Sequence, residues 1–404
     1  MKTVRIVGCG ATRVGRLNRS ATDLAIESIQ LALKDAGIAQ SDLQALIAVP
    51  SMSNPHFMQA HYLATMAGLL PAKKMIVRTI DTGGAGAISA LATAANMIRQ
   101  EWCETAIIVA SDAVLSLEDK EFLRRADASV QGSGLPSPSI PNGYDLIAQW
   151  TMTTHGVTRE QLAMVPVLMS HFAAKHPGAM CKQAYSLNEV LSSRPIGRVT
   201  NLLECARRAD GAAAVILSSS KHWKRNFAKP LDQCPVVIST GEGSGPLFPP
   251  KMEDITEQMF SCERAANFAL ESAHLGVNNI DFFGLYDCFH ICFLRALEAI
   301  GVCAKGEAGQ FVERKYQQLS HSDGDLHPND FPFNTHGGLM GFGAPWEVPA
   351  MYNILEAVAQ LKGEAEERQI TPKPQRALVY GNGGIFSASS VAILGDGKYD
   401  RRVN

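Results

Sequence analysis

One arrangement occurs twice along this chain, and it limits the folds open to it. An Ala-rich helical stretch from Ala21 to Ala36 is followed by Gly37-Ile38. Asp42-Leu43 then opens the strand LQALIAV. The stretch from Cys262 to His274 is followed by Gly276-Val277, and Asp281-Phe282 opens the strand FFGLYDC. In both copies glycine is expected to stop the helix, because it enters the left-handed C-terminal conformation at least cost. One repeat of this size is not a solenoid period. It predicts two duplicated α/β halves, with a boundary between Leu231 and Gly245. A length of 404 residues is also too great for one ordinary core.

The strands read as near-continuous apolar runs: TVRIVG, LQALIAV, KMIVRTI, TAIIVAS, AAVILSS, PVVIST and RALVYG. Such runs suit sheets covered by helices on both faces. Between Leu115 and Thr200 the pattern changes. A Ser-, Pro- and Gly-rich loop, GSGLPSPSIPNG, precedes helical stretches QLAMVPVLMSHFAAKH and SLNEVLSS. This reads as an insertion packing over the first half, of the kind that carries function or orders on ligand binding. The expected segments are a first half at 1–115, an insertion at 116–200, a return of the first half at 201–230 and a second half at 231–404.

The formal net charge is −2, which argues against nucleic acid or an anionic membrane surface as a partner. The densest basic cluster, Lys221, His222, Lys224 and Arg225, reads as a solvated turn. No apolar run is long enough to span a bilayer. The opening MKTVRIVGCG goes straight into a strand, with no signal or transit segment before it. Nine cysteines without paired spacing point to a reducing, intracellular compartment, cytoplasm or mitochondrion.

Five Gly-bearing or polar clusters follow strands. Gly8, Gly10 and Gly15 fail as a dinucleotide fingerprint, because Arg13 stands where a glycine is needed and no acid ends the second strand. Asp81-Thr82-Gly83-Gly84-Ala85-Gly86-Ala87 lies between KMIVRTI and a helix running to Ile98. Backbone N–H groups there can cradle an anion or oxyanion, or the glycines can simply allow close packing. Tyr286-Asp287-Cys288-Phe289 ends an apolar strand; Cys288 and Cys292 are one helical turn apart without zinc spacing. Asn334-Thr335-His336-Gly337-Gly338 runs on to Gly343-Ala344-Pro345, and Gly381-Asn382-Gly383-Gly384 follows RALVYG. Four Gly-rich turns, two per half, suggest one composite site between the halves.

Taken in order, these strings resemble the thiolase superfamily, and within it the sterol-carrier type. VRIVGCGATRVG is similar to the family's opening strand and turn. ADGAAAVIL, from Ala209 to Leu217, resembles the strand that re-enters the first half. YDCF at Tyr286 resembles the HDCF loop, and NTHGGLMGFGAP the segment ending in Gly-His-Pro. The resemblance implies a five-layered α/β/α/β/α fold with a CoA-binding loop region at 116–200, where Ser192, Ser193 and Arg194 would help hold CoA. It implies acyl-CoA or CoA as substrate or ligand, no further cofactor, no metal, and a homodimer pairing the strand KMIVRTI. Arg78 in that strand discourages such pairing.

The family's chemistry is a reversible Claisen condensation through an acylated cysteine at a helix N-terminus. Here the nucleophile position falls on Gly84 or Ala85, and no cysteine lies between Cys9 and Cys103. Ala344 stands for the Gly-His-Pro histidine and Tyr286 for the HDCF histidine. Cys288 matches the acid/base cysteine. Gly84, Ala85 and Gly383 remain as backbone donors, and Asn334, His336 and Ala344 as expected pocket residues. Losing covalent catalysis and an oxyanion donor costs roughly 10²- to 10³-fold each. The resemblance therefore implies an acyl-CoA-binding, thiolase-like protein of lipid metabolism. Its expected chemistry is weak acyltransferase or Claisen chemistry using Cys288. The alternatives are aldol or retro-aldol cleavage by Tyr286 and Cys288, or acyl-CoA binding without catalysis. Asp81 reads as a cap of the helix turn rather than as a replacement nucleophile.

Overall fold

The computed structural model describes residues 2–322 and 325–399. In the first half come β1 (Val4–Ala11), α1 (Ala21–Ala36), β2 (Ala45–Ala48), α2 (Gln59–Met66), β3 (Ile76–Thr79), α3 (Gly86–Arg99) and β4 (Thr105–Ala113). Four helices follow: α4 (Asp119–Ser129), α5 (Ser139–His155), α6 (Arg159–Lys175) and α7 (Leu187–Ser192). Then come β5 (Asp210–Ser219), α8 (Ser220–Asn226), β6 (Val236–Ser244), α9 (Cys262–Ala273), β7 (Phe282–Gly284), α10 (His290–Ile300) and α11 (Ala308–His321). The last elements are α12 (Gly338–Gly341), α13 (Pro349–Lys362), β8 (Arg376–Gly383) and β9 (Ala388–Gly395).

The strands order as β3-β2-β4-β5-β1 and continue as β6-β9-β8-β7. Arg5 opposite Val236 is the pairing that joins β1 to β6. The two runs repeat one design. In each, the strand after the first helix pairs in parallel with its inner neighbour, β2 with β4 and β7 with β8, and the strands from there to the junction pair antiparallel. Even the parallel β2–β3 pair has a remnant in the second half, a bridge between Phe283 and Phe333. The halves are held at their junction by the Arg5 guanidinium. It donates to the carbonyls of Leu231, Cys234 and Gly397 at 2.8 Å each.

Helices α1 and α2 cover the outer face of the first run and α9 that of the second; α3 and α13 lie between the runs. This gives the layered α/β/α/β/α arrangement. Helix α3 touches strands of both runs, and almost all of its residues are buried. Its small side chains, Ala87, Ala90, Ala94 and Ala95, let two sheets close on it.

The expected strands form, and a further one, β9, was hidden in the polar-looking string ASSVAILG. α1 spans Ala21–Ala36 as expected, with Gly37 at φ 69. The second copy differs: α9 is stopped by His274 at φ 56, and Gly276 (φ −102) opens the next turn instead. β7 ends at Gly284, so the YDCF residues lie beyond the strand. The segment Ser139–Gly143, expected as loop, is the first turn of α5. The insertion also packs differently from expectation. Its helices α5 and α6 rest on α10, α11 and α12 of the second half, while Arg125 of α4 reaches the Met52 and Ser53 carbonyls of the first.

Gly8 and Gly10 acquire a clear role. A β-carbon on Gly10 would lie 2.4 Å from the Ser28 carbonyl of α1, and one on Gly8 would lie 2.5 Å from that of Ala32. Gly241 and Gly243 of β6 meet the Ala265 and Ser261 carbonyls at 2.2 and 2.4 Å in the same way. Each half thus uses a Gly-x-Gly in its first strand to bring its first helix into backbone contact. Gly10→Ala is expected to lower stability by about 1–3 kcal/mol through overpacking. Urea titration checks this, and an unchanged midpoint would mean that α1 can move away.

Candidate active site at the helix α3 N-terminus

The turn before α3 is set by Gly83 at φ 58, followed by a short 3₁₀ turn, Gly83–Ala85. It abuts the end of β8 from the other half. A β-carbon on Gly383 would fall 1.8 Å from the Thr82 carbonyl, and one on Gly381 would fall 2.9 Å from Ala85 Cα. One Gly-rich turn from each half therefore meets the other. A hydroxyl chain runs beside them: Thr82 donates to Ser89 (3.0 Å), Ser89 contacts Ser390 (2.6 Å), and Ser390 donates to Glu242 (3.0 Å).

Tyr286 completes this contact. A β-carbon on Gly84 would sit 2.2 Å from the Tyr286 hydroxyl oxygen. The phenol thus occupies the space that a side chain at position 84 would fill. Its hydroxyl has one long hydrogen bond, 3.4 Å to the Trp346 carbonyl. Burial, then Cys288 and Glu347, hold its pKa well above the usual phenol value. Cys288 is half-buried, with its sulfur 3.5 Å from that of Cys292. Burial, reinforced by Cys288, pushes the Cys292 thiol up. Asp287, between Tyr286 and Cys288 in sequence, accepts from the Leu339 N–H at 2.8 Å. Burial raises its carboxyl to about 7.

The insertion contributes Tyr144 from α5. Its hydroxyl donates to the Gly384 carbonyl (2.5 Å) and accepts from the Asn382 amide (2.9 Å), and its ring stacks on Phe289 at 4.5 Å. Sequence reading missed Tyr144, which carries no motif. It also passed over Glu347, three residues beyond Ala344. Asn382 was visible only as part of a glycine string. The carboxyl of Glu347 points toward the first turn of α3, with Oε2 3.6 Å from where a β-carbon on Gly86 would be.

The remaining expected residues have other surroundings. Asn334 clamps the chain just after β7, donating to the Leu285 carbonyl (2.9 Å) and accepting from its N–H (2.6 Å). His336 is buried against Phe342, and its Nδ1 makes no hydrogen bond. Ala344 is buried, with its N–H on the Arg207 carbonyl (2.7 Å). The Ala85 N–H is already spent on the Thr82 carbonyl (3.3 Å). Ser192 and Ser193 bond back to the carbonyls of Asn188 and Val190 (2.7 and 2.8 Å), and Arg194 is exposed after α7. The site as assembled is Gly84, Tyr286, Cys288, Gly383 and their new neighbours Tyr144, Asn382 and Glu347. It offers a phenol, a thiol and a carboxyl around one glycine turn. Among the described residues, no group of His, Cys, Asp or Glu is arranged to hold a metal ion, and no helix is long and apolar enough to cross a membrane.

A family model described as thiolase C-terminal domain-like matches residues 249–396. The chain is 29% identical to an acetyl-CoA acetyltransferase of Methanothermobacter thermautotrophicus, over 98% of this chain and 100% of that one. It is 28% identical to bovine sterol carrier protein 2, over 96% and 72%. It is 27% identical to the 17-hydroxy-3-oxo-4-pregnene-20-carboxyl-CoA lyase of Mycobacterium tuberculosis, over 89% and 91%. Among solved structures, the Ltp2-ChsH2(DUF35) aldolase superposes with a TM-score of 0.79 at 24% identity, covering 98% of each chain.

Burial lowers the His336 pKa from 6.5 to about 4, so this ring is neutral in the fold. Its contribution to stability is complete above pH 6.5 and is lost as pH falls toward 4. Asp287, raised to about 7, works in the opposite direction, losing stability as pH rises through 7. The histidine effect is therefore read by difference. The stability deficit of His336→Gln is expected to shrink by about 1.4 kcal/mol per pH unit on acidification from 6.5 toward 4. Denaturant titrations across that range test it; a pH-independent deficit refutes the neutral buried ring.

Proposed function

We propose that this chain, which belongs to the thiolase superfamily and to its sterol-carrier type, makes or breaks a carbon–carbon bond in a CoA thioester by aldol chemistry. The observation that carries the reading is the Tyr286 hydroxyl lying where the side chain of residue 84 would stand. Covalent acyl transfer needs a thiolate at the N-terminus of α3, and Gly84 supplies none. A phenol in the same spot can donate to an oxygen on the carbon being cleaved. The likeness to a CoA lyase over most of both chains supports the same reaction class.

The substrate class is a β-hydroxyacyl-CoA. In cleavage the hydroxyl loses its proton, the Cα–Cβ bond breaks, and its electron pair moves onto the thioester carbonyl as an enolate. The α-carbon then takes a proton, giving a ketone or aldehyde and a shorter acyl-CoA. Tyr286, kept a neutral phenol by burial, steadies the β-oxygen as it gains charge. In this reading the half-buried thiol of Cys288 protonates the α-carbon. Cys288 also leaves room for a second reading, slow non-covalent Claisen chemistry, which the likeness to an acetyl-CoA acetyltransferase supports. A homodimer would use β3, the edge strand, whose Arg78 lies 5.2 Å over the Trp102 ring; light scattering reads its presence directly.

Two incubations separate the readings. With 3-hydroxy-3-methylbutyryl-CoA the aldol reading expects acetone and acetyl-CoA, and Tyr286→Phe slows this by about 100-fold or more. With acetoacetyl-CoA and CoA it expects no faster product formation. Cys288→Ala is expected to slow cleavage as well. Acetyl-CoA arising only from acetoacetyl-CoA, undiminished in Tyr286→Phe, would overturn the aldol reading in favour of Claisen chemistry.

A further inference from the structure

Retro-aldol cleavage needs a group to receive the proton of the β-hydroxyl. Tyr286 is poorly suited, because its hydroxyl is the donor to the Trp346 carbonyl and to the substrate oxygen it would hold. The residue after its acceptor Trp346 is Glu347. Oε2 of Glu347 is sealed from solvent and has no hydrogen-bond partner. It lies 3.6 Å from where a β-carbon on Gly86 would be, on the loop that also carries the Tyr286 acceptor, while the Tyr286 hydroxyl lies against Gly84 two residues earlier in the same turn.

Three other buried carboxylates are accounted for by partners. Asp112 accepts from the N–H groups of Met52, Ser53 and Ala113. Asp210 accepts from those of Leu17, Leu115 and Ser116. Glu356 pairs with Arg368 and accepts from Thr335. Among the described residues two buried carboxyls each leave an oxygen unmatched, Asp287 and Glu347. Asp287 Oδ2 lies against Gly338, whereas Glu347 Oε2 lies beside the glycine-lined turn before α3. An unpartnered buried carboxyl costs stability, and a fold retains one where a substrate group completes it. The ionisable groups facing it are Asp81 from the turn after β3, Asp112 from the end of β4 and Tyr286 from beyond β7. None is a cation. Burial, then the charges of Asp81 and Asp112, hold its carboxyl well above the usual range.

We propose that Glu347 is a catalytic acid–base of this chain, taking the proton directly from the substrate β-hydroxyl that Tyr286 holds. The inference rests on the aldol reading. The O–H proton passes to the Glu347 carboxylate as the Cα–Cβ bond breaks and the electron pair moves to the thioester. Cys288 delivers its proton to the α-carbon, and Glu347 returns a proton to the Cys288 thiolate through solvent, so the cycle closes without a co-reactant. In the synthetic direction the same carboxylic acid protonates the new alkoxide. Because the base must be ionised, cleavage rises with pH on a limb that belongs to Glu347.

The test uses the full chain and 3-hydroxy-3-methylbutyryl-CoA. Glu347→Gln, nearly isosteric and free of a buried charge, is expected to fold. It should lower kcat about 100-fold or more with little change in KM, and abolish the alkaline rise of the pH profile. Glu347→Asp restores part of the rate and the pH limb. A Gln variant with native kcat and an unchanged profile overturns the assignment while leaving the aldol reading in place. An activity-independent readout comes from infrared difference spectra. The Glu347 carboxyl band, identified by its loss in Glu347→Gln, should shift when 3-hydroxybutyryl-CoA binds and not when butyryl-CoA, which lacks the β-hydroxyl, binds. That pattern in a protein that cleaves nothing removes the aldol reaction but keeps Glu347 as the group that meets the β-hydroxyl. A band indifferent to bound 3-hydroxybutyryl-CoA overturns the assignment whatever the turnover.

Discussion

Burial of α3 between two half-sheets is the constraint on which the rest depends. Strands of both half-sheets touch this helix, and the small Ala87, Ala90, Ala94 and Ala95 let them close on it beside the fully buried Ile88 and Leu91. With the helix fixed, its N-terminal turn has one place to go, against the end of β8. There Gly383 must lack a side chain, because the Thr82 carbonyl already occupies that volume. The Arg5 guanidinium closes the junction of the halves from the far side by collecting three carbonyls. The meeting of the two glycine turns at the site is thus inherited from sheet packing.

On that frame, three parts of the chain meet at the candidate site. The first half gives the Gly83–Ala85 turn, the insertion gives Tyr144, and the second half gives Tyr286, Cys288, Asn382 and Glu347. Glycine at position 84 is not an empty place. The volume that a side chain there would fill is taken by a phenol from the opposite half, so residues 84 and 286 are sterically coupled.

Much of the fold was legible because its signals are local. The run from Ala21 to Ala36 is bounded by Ser20, which accepts from the Asp23 N–H, and by Gly37 in a left-handed conformation. Strand runs were equally plain, since both faces of the sheet are covered. β9 escaped notice because Ser389 and Ser390 make it look polar, although their hydroxyls are buried against Ser261 and Glu242. The second helix stop was misplaced by two residues, because His274 adopts the left-handed conformation that glycine usually takes. Where the insertion would pack could not be read, since its contacts with α10, α11 and α12 join residues far apart in sequence.

By itself the sequence determined the duplication, the layered α/β class, the family resemblance and the absence of a cysteine at the helix turn. Each follows from residue order over short spans, where backbone preference and apolar periodicity act. Tertiary structure alone decided that Asn334 and His336 serve packing, that Tyr286 fills the place of a side chain at residue 84, and that Glu347 reaches the same turn. These depend on which volumes are occupied when two sheets close on one helix. Mutual exclusion of atoms from distant segments leaves no trace in local sequence, and it is what shapes this site.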